Sequence, residues 1–118
     1  MDSLANMFCL FSRKNHTFER FFQLLPDGEI LDIDCDGHDN ERYWDVKGDN
    51  LVLYDTNNIQ TSKFILNSAK SKDYNNKFLF FEGSNKSKLQ LLATLSDNIG
   101  DLRNLQIEFK KADEDANK

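Results

Sequence analysis

The chain reads as an all-β protein: an antiparallel meander of about eight short strands that forms a small barrel or sandwich, with one short N-terminal helix in front. Three observations carry this reading. Short segments alternate apolar with polar residues, turn residues separate them roughly every ten positions, and no strand-helix-strand alternation of the parallel-sheet kind occurs.

The helix is expected over residues 3 to 11. Leu4, Met7, Phe8 and Phe11 stand at i, i+3, i+4 and i+7, and Asp2 or Ser3 can cap the first turn. From Thr17 the period becomes two, so that Phe18, Phe22 and Leu24 share a face; Pro26-Asp27-Gly28 then supplies a turn before Ile30 to Ile33. A strand over Glu41 to Val46 follows, with Trp44 and Val46 on one face. Lys47-Gly48-Asp49-Asn50 turns the chain into Leu51 to Tyr54, and Asp55 to Asn58 turns it again into Ile59 to Leu66. Asn67 to Asn76 is polar and reads as a long mobile loop. Lys77 to Glu82 is apolar on both faces through Phe78, Leu79, Phe80 and Phe81, which suits a central strand covered on both sides. Leu89, Leu91, Ala93 and Leu95 share a face in the next strand. After a turn or broken helical turn over Ser96 to Arg103, Leu105, Ile107 and Phe109 alternate with Asn104, Gln106 and Glu108 as a last strand. Residues 1–15 are thus helix and lead-in, 16–111 a single β domain, and 112–118 a charged, disordered tail.

A chain of 118 residues with 39% hydrophobic content and ten Phe can fill one core, which excludes global disorder. Fifteen Lys and Arg stand against twenty Asp and Glu, a net charge of −5, so nothing favours nucleic acid or an anionic membrane surface. Cys9 and Cys35 match neither a zinc spacing nor a disulfide framework. Without a signal peptide or an apolar run long enough to span a membrane, a cytoplasmic location is expected.

The densest polar segment is Asp32-Ile33-Asp34-Cys35-Asp36-Gly37-His38-Asp39-Asn40-Glu41. Its opening puts carboxylates at positions 1, 3 and 5 and Gly at 6, the spacing with which loops gather oxygens around calcium. Asp32, Asp34 and Asp36 are therefore candidate ligands. The twelfth position holds Tyr43 instead of a bidentate Glu, position 8 holds Asp39, and no helices flank the run, so it is no EF-hand; an acidic solvated hairpin connection is the alternative. Asp36, His38 and Glu41, beside the Cys35 thiol, could form a hydrolytic cluster, although neighbours in an extended segment rarely converge on one point. Tyr43 and Trp44 point to opposite faces of one strand, one toward the core and the other available to stack on a sugar or a peptide. The stripe Phe18, Phe21, Phe22, Phe78, Phe80 and Phe81 reads as core, or as the lining of a small-ligand carrier with an apolar interior.

Leu24-Leu25-Pro26-Asp27-Gly28-Glu29-Ile30, then His38-Asp39-Asn40-Glu41, Trp44, Gly48-Asp49-Asn50-Leu51 and Phe64 together resemble a pattern found in small β-rich accessory domains. Such domains accompany bacterial glycosyltransferases of surface-polysaccharide synthesis. The resemblance spans residues 16 to 66, and its distinctive part is His-x-Asn-Glu followed by Trp. It implies a binding or structural accessory role and no transferase activity, since the chain lacks the βαβ pattern of a nucleotide donor site. The sequence reading is accordingly a non-enzymatic module for a carbohydrate or a glycan-assembly partner protein, with His38, Glu41, Tyr43 and Trp44 as candidate binding residues. No cofactor is expected apart from the calcium alternative, and a homodimer through the front helix is open.

Overall fold

The computed structural model describes residues 4–13, 19–34, 41–73, 77–83 and 89–116. Eight antiparallel strands form one sheet: β1 (Phe8–Arg13), β2 (Glu19–Leu24), β3 (Ile30–Asp34), β4 (Glu41–Lys47), β5 (Asn50–Asp55), β6 (Gln60–Leu66), β7 (Leu79–Gly83) and β8 (Leu89–Thr94). Two helices join them, α1 (Ser68–Asp73) and α2 (Ile99–Ala116). The strand order is β3-β2-β1-β8-β7-β6-β5-β4, and the sheet curls until its two edges almost meet. They touch where Glu29 bridges Tyr43 and the Trp44 amide donates to the Gly28 carbonyl at 2.9 Å. The tight turn that brings Gly28 there requires its φ of +91°, which a side chain would strain.

Alternation sends one row of each strand inward. Cys9 and Phe11, Phe22 and Leu24, Leu51 and Leu53, Phe64, Phe81, and Leu91 and Ala93 form one interior cluster, with the Phe11 and Phe64 rings edge to face at 5.8 Å. Leu4 and Met7 close it at one end. A second cluster lies outside the barrel, where Leu10, Phe21, Phe78, Phe80 and Leu92 are covered by Leu102 of α2, flanked by Ile99 and Leu105. Each buried Leu or Phe contributes about 1.5–3 kcal/mol relative to exposure, so both layers matter to stability. β7 is covered on its two faces, as its doubly apolar sequence requires, and it lies between β6 and β8.

The architecture is mostly antiparallel β and barrel-like, with the helix at the C-terminus instead of the N-terminus. Residues 3 to 11, expected as a helix, enter β1 at Phe8 after a turn in which Met7 N bonds Leu4 O and Asn6 takes a φ of +69°. The run has apolar residues on both strand faces, Cys9 and Phe11 inside and Phe8 and Leu10 outside, which burial on both sides favours over a one-faced helix. Conversely, the strand expected over Asn104 to Phe109 lies within α2, and the helix continues to Ala116 over residues expected to be a disordered tail. Ile99, Leu102 and Leu105 recur at helical spacing and face the sheet, while Ile107 is 65% exposed. The polar segment after β6, expected as a loop, contains α1. Asn67 caps it by accepting from the Lys70 amide at 3.0 Å, and Ser71 Oγ accepts from the Phe80 amide at 2.9 Å, which fastens the helix to β7.

Candidate functional site: the β3–β4 seam and the outer face of β4

On β2 the inward row that contains Phe22 and Leu24 also contains Arg20, 1% exposed. Its guanidinium lies 4.9 Å from the centroid of the Phe22 ring and fills the space where the β3 and β4 backbones separate. Nε and Nη2 both donate to Asp32 Oδ1, the former at 2.9 Å, and Nη2 also donates to the Glu41 carbonyl at 3.1 Å. The Glu41 carboxylate, 7% exposed as a residue, stands 3.7 Å from Nη1. Arg42 Nη1 completes the cluster from the surface, 3.2 Å from Asp32 Oδ2 and 3.0 Å from the Glu41 carbonyl. A buried cation between two carboxylates and a carbonyl joins the strands that carry them.

The acidic run does not converge. The β2–β3 register shifts between Phe21 and Phe22, pairing Asp32 with inward Phe22 and Asp34 with outward Phe21. Asp34 consequently turns to α2, where it accepts from Arg103 at 3.5 Å and from Gln106 at 3.3 Å; Arg103 lies 4.2 Å from the Phe21 ring. Two carboxylates expected to share one cation thus have different cationic partners. Among the described residues no group of three His, Cys, Asp or Glu is placed to hold a metal ion. Asp36 and His38, and with them Cys35, lie outside the described residues. Glu41, the one described member of the hydrolytic set, is turned to Arg20.

Trp44 and Tyr43 take opposite faces. Trp44 packs against the interior cluster and donates its Nε1 to the Leu25 carbonyl at 2.8 Å, making it a core anchor near the seam. Tyr43 points outward and pairs across the ladder with Tyr54 of β5. Beside them on the outer face stand Asp45 and Lys47 of β4, buried Val52 of β5, and Lys63 and Ile65 of β6, the last 47% exposed. The Lys47 ammonium lies 5.7 Å from the Tyr54 ring centroid, and the neighbouring Tyr54 raises its pKa. Among the described residues the cluster beneath α2 includes none from β4, β5 or β6.

Two residues of this region escape the sequence reading. Arg20 carried a signal, being a charged residue in the inward phase of an otherwise apolar row. Tyr54 alternates with Leu51 and Leu53, and only the β4–β5 register reveals that it meets Tyr43. Cys9 contributes no chemistry, because full burial pushes its thiol far above the usual range. Iodoacetamide is expected to label Cys9 in the folded protein only as fast as the barrel opens, and freely in denaturant; peptide mass mapping reads the difference, and rapid native labelling would contradict the burial. The front helix that could have mediated a dimer is not formed, since Leu4 and Met7 belong to the barrel's own core. Among the described residues no helix is long and apolar enough to cross a membrane. No protein-family model, curated protein or solved structure matches the chain.

Proposed function

We propose that the protein is a non-enzymatic binding module whose ligand, a carbohydrate, lies on the outer face of β4, β5 and β6. The observation that carries this reading is the cross-strand pair Tyr43 and Tyr54, on strands outside the cluster beneath α2. Two aromatic side chains at cross-strand positions offer large apolar area at low entropic cost, suited to the C–H face of a sugar ring. Asp45, Lys47 and Lys63 beside them supply acceptors and donors for hydroxyl groups. Exposed Ile65 on the same face favours a partner protein of glycan assembly as the second reading. The interior cluster that Phe11, Phe22, Phe64 and Phe81 share weighs against the carrier alternative. Glu41 belongs to the Arg20 cluster in this reading and acts on the fold instead of on the ligand.

The test is binding of the protein to an oligosaccharide array, compared with Tyr43→Ala and Tyr54→Ala. Each substitution is expected to weaken binding about tenfold or more, with an unchanged circular dichroism spectrum. Equal binding by both variants would place the ligand elsewhere, and absence of any bound saccharide would favour the partner-protein reading.

A further inference from the structure

The barrel's ladders are unequal. β1 meets β8 over six residue pairs and β4 meets β5 over six, whereas among the described residues the β3 and β4 edges are joined in the backbone by the bridge Glu29 to Tyr43, just before β3, and the bond from Trp44 N to Gly28 O. Beyond that bridge the described residues of β3 and β4 form no ladder, and their connection passes through side chains: Arg20 to Asp32 and to the Glu41 carbonyl, and Arg42 to both. The Glu41 carbonyl, which a fully zipped hairpin would offer to a β3 amide, accepts from two arginines. Opening here breaks few backbone bonds and returns charged groups to water, whereas opening any other described ladder breaks a run of pairs. From this juxtaposition we infer that the β3–β4 seam is the place where the barrel opens, and that Arg20 is the latch that holds it shut. Opening there would uncover Trp44 and the adjoining interior and free the edges of two strands, giving the molecule a second conformation beside the closed barrel.

Native-state hydrogen exchange of the whole chain, resolved by residue, tests this in the unmodified protein and in two variants. In the unmodified protein the Trp44 amide is expected to exchange about tenfold or more faster than the hydrogen-bonded amides of the β1–β8 ladder, through an opening insensitive to low denaturant. Arg42→Ala, which removes the exposed half of the cluster, and Arg20→Met, which removes the latch, are expected to speed exchange at residues 41–44 and 28–32 further, with the β1–β8 ladder remaining the slower to exchange. Collisional quenching of Trp44, the single tryptophan, should rise in the same order. Trp44 protection equal to that of β1 and β8 in the unmodified protein would overturn the inference. So would variants in which residues 41–44 and 28–32 exchange no faster than in the unmodified protein, or at the same rate as the β1–β8 ladder, since the first shows no latch and the second only global unfolding. Should Arg20→Met fail to fold, the unmodified protein and Arg42→Ala decide the question.

Discussion

Arg20→Ala is expected to lower the unfolding free energy by about 3–5 kcal/mol, because truncation leaves the Glu41 carboxylate buried without its cation. Against a total of about 5–15 kcal/mol for a domain, that is among the largest losses one substitution can cause. The cause is desolvation: the Arg20 side chain is 2% exposed and that of Glu41 9%, so neither charge can turn to water without opening the seam. Asp32 suffers less, since its carboxylate is partly exposed and keeps Arg42. The double variant Arg20→Met with Glu41→Leu, which removes both buried charges and retains volume, is expected to recover most of the loss. Urea titration measures both, and the charge argument requires the midpoint to fall in Arg20→Ala and return in the double variant with a constant slope. A double variant no more stable than Arg20→Ala would show that packing, and not an orphaned charge, sets the cost.

Leu102→Ala should cost about 2–5 kcal/mol, whereas Ile107→Ala should change stability by no more than about 0.5 kcal/mol. Leu102 is fully buried between α2 and the sheet, and Ile107 is on the exposed side of the same helix. A β-strand over Asn104 to Phe109 would reverse the ranking, because Ile107 would then share the inner row with Leu105. Thermal unfolding of the two variants therefore distinguishes the helix from the strand as well as measuring its contribution.

The seven strands from β2 to β8 were legible because turn chemistry brackets each of them. Pro26-Asp27-Gly28, Lys47 to Asn50 and Asp55 to Asn58 all turn where expected, the last with Asp55 Oδ1 accepting from the Asn57 and Ile59 amides. The two ends of the chain were read in exchange. Leu4, Met7, Phe8 and Phe11 fit a helical period as well as a doubly buried strand, and Leu105, Ile107 and Phe109 fit a strand period although Ile99, Leu102 and Leu105 fit a helix better. A short apolar run satisfies both templates, and only the tertiary layer decides between them: β1 is buried on both faces because α2 covers its outer side. That exchange also concealed the candidate site, which is defined among the described residues by strands outside the cluster beneath α2. The opposed faces of Tyr43 and Trp44 follow from alternation alone and were legible. The divergence of Asp32 and Asp34 was not, because the bulge that turns them apart arises from pairing with β2, which spacing within the run cannot register.

The most direct measurement is a series of two-dimensional amide NMR spectra of the protein, recorded as oligosaccharides selected on the array are added. The proposed binding module predicts shift changes that saturate and cluster on Tyr43, Asp45, Lys47, Val52, Tyr54, Lys63 and Ile65, with the residues beneath α2 unmoved. Changes confined to the α2 side of the barrel, or none at saturating saccharide, would contradict it.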